Sequence, residues 1–263
     1  MAMPDFPAMK SWTALGMSDV PGMAEPLAAK FSYTNTFYHQ PPVFDVMVRD
    51  PSLDGRFDFI VSSEVLEHVP HPVGSAFDTL FHMLKPNGVL FLTVPYTIDE
   101  DAAEHFPNMH DFAVVALKER WVLVNRTADG RIETFDDLVF HGGPGSTLEM
   151  RVFDEDALRG LLYGAGFKSL RIAGESYPEF GIRPEGPWSL PIAARKCERV
   201  PDSSGFRELA KDYAGLKVDL RSTQVDLDRR NADYKRYSAW AEAKIGSLEG
   251  TLWGRIGRRL KLI

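Results

Sequence analysis

Histidines that could exchange protons with a bound molecule lie between positions 105 and 141 of this 263-residue chain. Histidine titrates near neutral pH, so it is well suited to take a proton from a hydroxyl group. His141 lies in a glycine-rich loop, and His110 is followed by Asp111, which could orient its imidazole ring. His141 is therefore the first candidate for a catalytic base and His110 the second, whereas His105 is expected to be a surface residue.

Other kinds of chemistry find little support in the residue types. No Gly-Lys-Ser/Thr triplet occurs, so a Walker phosphate loop is absent. Cys197 is the single cysteine, which precludes an intrachain disulfide and fits a reducing cytoplasm. Because cysteine pairs are lacking and the histidines do not show ligand spacing, no metal site is predicted.

Alternating apolar segments predict the elements that position these residues. Residues 59–62 form a short apolar strand, residues 76–84 carry a helical apolar stripe, and residues 89–94 form a second, almost wholly apolar strand. A Pro-Asn-Gly turn at 86–88 separates that helix from the second strand. Strand, helix and strand in this order imply a right-handed parallel crossover, and hence an α/β fold with a doubly wound, mostly parallel sheet.

The flanking segments contain further predicted elements. Upstream, a strand is expected over 12–19, a helix over 23–31 and a strand over 33–38. Downstream, Asp129-Gly130 predicts the turn of a hairpin. Asp154 is expected to cap a helix that stops at Gly164 or Gly166. The remaining predicted segments are the two arms of that hairpin, 121–127 and 132–140, and two last strands, 169–173 and 188–194.

Residues 12–196 resemble the class I S-adenosylmethionine-dependent methyltransferases. The resemblance is carried, in order, by the strand that begins at Phe57-Asp58, by Glu67-His68, by the turn Leu84-Lys85-Pro86-Asn87-Gly88 and by Gly166-Phe167. It implies a Rossmann-like methyltransferase fold, S-adenosylmethionine as the cofactor, and residues 97–150 as a substrate-side insertion with a hairpin. It also implies that Ser62, Ser63 and Glu64, at the carboxyl end of the family's fourth strand, contact the cofactor. Glu67-His68 is expected to pack around its own helix.

Two registers compete for the segment that ends at Asp19. It could be a degenerate first strand of the family whose glycine loop has collapsed to Gly16, or it could be the second strand. From Asp19 to Asp58 there are 39 positions, which hold one helix and one strand but not two of each. Spacing therefore predicts the second strand.

The second-strand register has consequences for the cofactor site. The resemblance then implies that Asp19 binds the ribose hydroxyls, with Ser18 as the alternate. It also implies that Asp45 lies near the adenine, with Asp50 as the runner-up. The family's first strand and its glycine loop would be missing, since residues 1–56 contain no Gly-x-Gly.

This apparent gap leaves three alternatives open. The chain could be part of a longer protein, its cofactor site could be built differently, or the site could be lost. In the last case the chain would be a non-catalytic methyltransferase-like scaffold that acts through its helical end.

The C-terminal region differs from the rest in pattern and charge. After a polar linker over 198–205, residues 206–263 show an imperfect heptad repeat and carry a net charge of +5, against −12 for residues 1–205. This predicts a helical, coiled-coil extension that self-associates or lies on an anionic membrane through its basic end. The acidic body argues against nucleic acid as a partner. No leader peptide or membrane span is recognised, so a cytoplasmic protein, peripheral at most to the inner face of the membrane, is expected.

These observations predict a methyltransferase domain over residues 1–197. By the resemblance, the reaction is methyl transfer from S-adenosylmethionine to a polar small molecule or a sugar hydroxyl. The C-terminal region also resembles, loosely, the helical ends of bacterial glycan-assembly enzymes, which suggests a role in glycan biosynthesis. A nucleotide-sugar transferase is a more distant alternative that depends only on that helical end.

Overall fold

The computed structural model describes residues 6–98, 103–118, 120–143, 145–178, 181–198 and 204–250, together with 256, 257 and 259. The helices are α1 (Pro21–Lys30), α2 (Gly74–Met83), α3 (Glu155–Ala165) and α4 (Ser204–Gly250). The strands are β1 (Met9–Met17), β2 (Phe31–Thr36), β3 (Phe57–Ser63), β4 (Leu84–Thr93), β5 (Tyr96–Thr97), β6 (Ala103–Glu104), β7 (Asp111–Ala116), β8 (Trp121–Arg126), β9 (Ile132–Phe135), β10 (Phe140–His141), β11 (Thr147–Leu148), β12 (Arg151–Asp154), β13 (Ser169–Ile172) and β14 (Ile192–Arg195).

Six of these strands form the main sheet, in the order β2-β1-β3-β4-β14-β13. β1 pairs in parallel with both β2 and β3, and β3 pairs in parallel with β4. β14 is antiparallel to both of its neighbours. The predicted α/β fold with a mostly parallel sheet is confirmed.

Helices cover both faces of this sheet, which explains why its central strands are almost continuously apolar. On one face, Ile60 of β3 and Leu90 of β4 pack with α2 and α3 in the larger core. On the other face, Phe59 and Val89 from the same two strands pack against Leu27 of α1. Alternate residues of one strand therefore enter opposite cores, as the pleat requires.

Local signals place both ends of α3 correctly. Asp154 accepts a hydrogen bond from the Ala157 amide at 2.8 Å and so caps α3, as predicted. Gly166 ends the same helix with φ +111°, a conformation that favours glycine. At the other end of the chain, Phe31 begins β2 and is not the last residue of a helix, because its buried side chain packs in the core below α1.

The segment between β4 and α3 forms a separate layer of short strands. β7, β8 and β9 make an antiparallel meander, which confirms the predicted hairpin and adds a strand that the sequence analysis missed. β10 and β11 form a second small hairpin, and β12 pairs with β5 and β6. Phe106, Leu123, Leu148 and Met150 form the core of this insertion. The insertion leaves the sheet at the end of β4, so it begins at the carboxyl edge.

The C-terminal residues from 201 onward cluster as a unit of their own, apart from residues 2–200. The long helix α4 accounts for most of it. Leu216, Leu220, Leu227, Tyr234 and Tyr237, which belong to the predicted heptad repeat, are all exposed. Most of the basic end after 250 and most of the linker after 198 lie outside the described residues. None of the described helices is long and apolar enough to cross a membrane.

Candidate functional site

The strand order identifies the point where a ligand crevice should open. From β1 the chain moves outward to β2, then crosses back to form β3 on the opposite side of β1. The carboxyl ends of β1 and β3 therefore diverge at a topological switch point, and ligands of doubly wound sheets bind outside such an edge. Met17 and Ser63 end the two strands there.

This order corrects the register predicted from spacing. β1 lies inside the sheet between β2 and β3, next to the strand that matches the family's fourth, so it holds the place of the first strand. The second-strand assignment and the missing first strand were wrong, and β1 takes the first-strand register that was the alternative, with Gly16 near its carboxyl end. Spacing misled the assignment because residues 37–56 form no strand. The family strand that has no equivalent in this chain is therefore the one that would follow β2.

The loop after β1 is short and closely bonded. Ser18 adopts a left-handed conformation with φ +59°, and α1 begins at Pro21. The Asn35 side chain pairs with both backbone groups of Asp19, accepting from its N–H at 3.0 Å and donating to its carbonyl at 2.8 Å. These bonds fix the Asp19 backbone at the carboxyl end of β1.

The Asp19 carboxylate is buried above Gly16. The Tyr33 hydroxyl donates to its Oδ2 atom, and a Cβ atom on residue 16 would collide with both groups. Gly16 is thus required by close packing, although its loop lacks the usual glycine pattern. Burial raises the pKa of Asp19, and the hydrogen bond from Tyr33 partly offsets this rise.

Two buried polar atoms at this edge lack hydrogen-bond partners, and they indicate that the crevice fits a polar ligand. They are Oδ1 of Asp19 and Oγ of Ser62. Buried polar atoms are nearly always paired, so such atoms point to a missing partner. A cofactor with ribose hydroxyls and an amino acid moiety offers suitable partners, which means that Asp19 and Ser62 could hold S-adenosylmethionine.

The other predicted cofactor residues are used differently. Asp45 accepts from the Met47 amide at 2.9 Å and Asp50 from the Ser52 amide at 2.9 Å, so each stabilises its own turn. Ser63 shares a hydrogen bond of 2.9 Å with the Thr93 hydroxyl, which ties the ends of β3 and β4 together. Glu64 is exposed just after β3 and has a left-handed backbone with φ +53°.

A second polar cluster lies after β3, where a short 3₁₀ helix, Leu66–His68, follows the strand. Oε1 of Glu67 is 3.4 Å from Nε2 of His68 and 3.9 Å from Nδ1 of His141. The two imidazole rings meet edge to face, with centroids 4.8 Å apart. We call Glu67, His68 and His141 the Glu-His cluster.

Glu67 is the most perturbed acid of this cluster. Its side chain is 0% exposed, and neither of its carboxylate oxygens has a hydrogen-bond partner. Burial raises the pKa of Glu67 to about 8, and the nearby charges of Glu64 and Glu149 add to the rise. Desolvation also lowers the pKa of His68, which favours its neutral form. At neutral pH the cluster therefore has the composition of a protonated acid next to a neutral imidazole.

Glu149 links His141 to a further histidine. Its Oε2 atom is 3.0 Å from Nε2 of His141, and its Oε1 atom is 2.9 Å from Nε2 of His105. His105 is thus half-buried in a polar network and is not simply a surface residue, as the sequence had suggested. His110 precedes β7, where its amide donates to the Asn125 side chain at 2.9 Å, and it does not belong to the Glu-His cluster.

Arg151 holds the short 3₁₀ helix in place through hydrogen bonds to its backbone. Its Nη1 atom donates to the carbonyls of Leu66 and Val69 at 3.0 and 2.6 Å, and its Nε atom donates to Glu104 at 2.6 Å. The Met150 amide adds a hydrogen bond of 2.8 Å to the Glu67 carbonyl. Arg151 was not among the predicted site residues, since a charged residue in the short strand Arg-Val-Phe-Asp gives no local sign of these long-range hydrogen bonds.

The chain matches a known domain family over most of this region. Residues 11–172, more than half of the chain, match the model of a methyltransferase domain, Methyltransf_23. No curated protein matches the chain.

Solved structures of methyltransferases are also similar, at low identity. One is the 1,6-didemethyltoxoflavin-N1-methyltransferase of Burkholderia thailandensis with bound S-adenosylhomocysteine: 18% identity, TM-score 0.42, 71% of this chain and 72% of that chain. Another is an amino pentose methyltransferase of Micromonospora echinaspora with bound S-adenosylmethionine. It is 14% identical, with a TM-score of 0.40, and the match covers 71% of this chain and 84% of that chain. A third is an S-adenosylmethionine-dependent methyltransferase of Mesorhizobium loti. It is 18% identical, with a TM-score of 0.35, and the match covers 69% of this chain and 79% of that chain. Similarity at this level does not assign a methyl acceptor.

Proposed function

Because the chain belongs to the class I S-adenosylmethionine-dependent methyltransferases, we propose that it methylates a hydroxyl group of a polar small molecule or a sugar. The observation that carries this proposal is the Glu-His cluster, whose proton-exchanging groups follow β3 at the carboxyl edge of the sheet. The topological switch point, where a cofactor is expected to bind, lies at the same edge.

S-adenosylmethionine supplies an electrophilic methyl group when it is bound. On this chain Asp19 and Ser62 would hold it, through the two buried atoms that lack partners. The absence of a side chain at Gly16 makes room for Asp19 and Tyr33 next to the strand end. Since methyl transfer needs the acceptor in line with the methyl group, positioning by these rigid strand ends supplies much of the rate.

The Glu-His cluster lies where the proton of an acceptor hydroxyl could leave. His141 is the most accessible member, with 38% of its side chain exposed, whereas Glu67 is fully buried. Its Nε2 atom faces Glu149, so its Nδ1 atom is left to face the cluster. These contacts support His141 over His110 as the residue next to the acceptor.

The helical end supports a second role, in assembly. Five apolar side chains of the heptad repeat are exposed on α4, and such a stripe is typically covered by a partner helix. We propose that α4 mediates self-association. A glycan as the acceptor would agree with the resemblance of this end to those of glycan-assembly enzymes.

A scaffold without activity is the competing function. It is favoured by the short loop after β1, where Asp19 and Tyr33 occupy the space above Gly16. A chain that has lost its cofactor site would retain the fold and the helix and would not bind the cofactor product.

Titration with S-adenosylhomocysteine by calorimetry tests these proposals. The folded chain should bind it, and Asp19→Asn should weaken binding about 10- to 150-fold, the effect of losing a hydrogen bond to a charged group, about 1.5–3 kcal/mol. Asp136→Asn, which changes an exposed acid in the insertion, is the matched control and should bind as the parent does. A folded chain that shows no binding would refute the enzyme and favour the scaffold.

A further inference from the structure

We propose that the Glu-His cluster binds one divalent transition-metal ion, for which Zn²⁺ is the best match. The ligand atoms would be a carboxylate oxygen of Glu67, Nε2 of His68 and Nδ1 of His141. The proposal deepens the methyl-transfer function proposed above, but the ion site depends only on these three side chains and can be tested without that function.

The spacing of the three ligand atoms suits a single ion. All three lie within 4.8 Å of one another, and the two distances to Glu67 Oε1 are 3.4 and 3.9 Å. Ligands around a tetrahedral Zn²⁺ ion, with bonds of about 2.0–2.1 Å, are about 3.3 Å apart. A small rotation of the exposed His141 side chain would bring the atoms to this separation.

Both imidazoles are already oriented by an outer partner. The Nδ1 atom of His68 is 2.8 Å from the Leu148 carbonyl, which can only accept, so this nitrogen carries the proton and Nε2 keeps its lone pair. The Nε2 atom of His141 lies 3.0 Å from the Glu149 carboxylate, which leaves Nδ1 to face Glu67. A histidine that donates to a carbonyl or a carboxylate while its other nitrogen binds metal is the usual arrangement in zinc sites.

Glu67 provides the independent sign that a ligand is missing. Its side chain is 0% exposed and points into the cluster, yet both of its oxygens lack a hydrogen-bond partner. A fully buried acid without donors is costly unless a proton or a cation neutralises it. A cation at the shared position of the three ligands would satisfy the carboxylate directly.

The charges around the cluster also favour a cation. Glu64 and Glu149 lie close enough to affect Glu67 electrostatically. Arg151 is the neighbouring positive group, and its Nη1 and Nε atoms donate to Leu66, Val69 and Glu104 and not to Glu67. Two imidazoles and one carboxylate are a ligand set that suits zinc and its first-row neighbours better than Mg²⁺ or Ca²⁺, which prefer oxygen ligands.

Such an ion gives the exposed side of His141 a chemical role. Three protein ligands leave a coordination position for another molecule, as in catalytic zinc sites. An acceptor hydroxyl next to the ion loses its proton to solvent more easily, and its oxygen then forms a bond to the methyl carbon. The carbon–sulfur bond breaks with its electron pair staying on sulfur, which yields the methyl ether and neutral S-adenosylhomocysteine. The ion would then promote loss of the proton of the acceptor hydroxyl, a role that was first assigned to His141 as a base.

The test is metal binding by the full chain, after treatment with a chelator and dialysis. Zn²⁺ titrated by calorimetry should bind at one ion per chain, and Co²⁺ should give the visible absorption of a site with nitrogen ligands. Glu67→Gln and His141→Gln should each weaken binding at least tenfold, and Glu149→Gln, which removes an outer partner, about 10- to 100-fold. His110→Gln changes a histidine of the same insertion outside the cluster and should bind as the parent does. Circular dichroism of each variant verifies the fold.

Two outcomes would overturn the proposal: no stoichiometric binding by the folded parent chain, or binding that neither Glu67→Gln nor His141→Gln weakens. S-adenosylhomocysteine titrated into the same samples separates this result from the proposed function. A chain that binds S-adenosylhomocysteine but not Zn²⁺ lacks only the ion site. A chain that binds Zn²⁺ alone retains the ion site and contradicts the proposed methyl transfer.

Discussion

Glu67→Gln should change the pH dependence of stability in a way that reveals the buried acid. The variant keeps the shape of the side chain and removes its proton equilibrium. In the folded protein the pKa of Glu67 is raised from 4.5 to about 8, because the carboxyl group is buried without hydrogen-bond donors. Between these two pH values the folded chain holds a proton that the unfolded chain has released.

The sign and the size of the effect follow from this difference in bound protons. The stability contributed by the protonated acid is fully present below about pH 4.5 and is lost as the pH rises toward about 8. The free energy of unfolding of the parent should fall by about 1.4 kcal/mol per pH unit in this window, or about 5 kcal/mol in all. Glutamine does not titrate, so position 67 of the variant makes no pH-dependent contribution to the free energy of unfolding. The stability of the variant relative to the parent should therefore rise by about 2.7 kcal/mol from about pH 5.5 to about pH 7.5.

Urea unfolding followed by circular dichroism, in a chelating buffer at several pH values, measures this difference. Other titrating groups are common to both proteins and cancel to a first approximation. Glu25→Gln, which changes an exposed acid on α1, should follow the parent at every pH. A difference between Glu67→Gln and the parent that does not vary with pH would refute the reasoning, because it would mean that Glu67 is ionised in the folded chain.

Two further changes test the support of the site and the role of the C-terminal helix. Arg151→Met should lower the free energy of unfolding by about 3–5 kcal/mol, because it leaves the Leu66 and Val69 carbonyls without their donor; urea unfolding measures it, and the exposed Arg120→Met should cost less than about 0.5 kcal/mol. Deletion of residues 201–263 should leave the sheet domain folded and reduce the molar mass measured by light scattering, since the exposed heptad side chains are removed; an unchanged subunit number would exclude α4 as the contact.

The elements that the sequence predicted well are those with local signals. The apolar strands β3 and β4 and the helix between them follow from patterns that span only a few residues. The turn predicted at 86–88 was wrong, because residues 84–88 belong to β4, which begins directly after α2 and shifts register against β3 there. The cap at Asp154 and the left-handed Gly166 likewise depend on bonds within one helix end. Each of these signals acts between neighbours along the chain, so it can be identified without knowing the fold.

The place of each strand in the sheet could not be inferred from such local signals. A strand was predicted over 12–19 and β1 spans Met9–Met17, but the place of this strand in the sheet depends on the pairing of Ala14 with Phe59, 45 positions away. The spacing of the chain favoured the loss of the first strand, whereas the strand order shows that this strand is present as β1. Asp19 therefore follows β1, an interior strand of the sheet, and no carboxylate follows β2 before Asp45.

By itself the sequence determined the fold class, the family and the cofactor, because these follow from local apolar patterns and from motifs in a fixed order. Only the tertiary structure brought Glu67 and His68 together with His141, which is more than 70 positions further along the chain. The β10–β11 hairpin, the Met150–Glu67 hydrogen bond and the Arg151 contacts create that proximity. Long-range packing also removes water from Glu67. The buried carboxylate without hydrogen-bond partners, which makes the cluster a candidate for metal binding, therefore exists only in the folded chain.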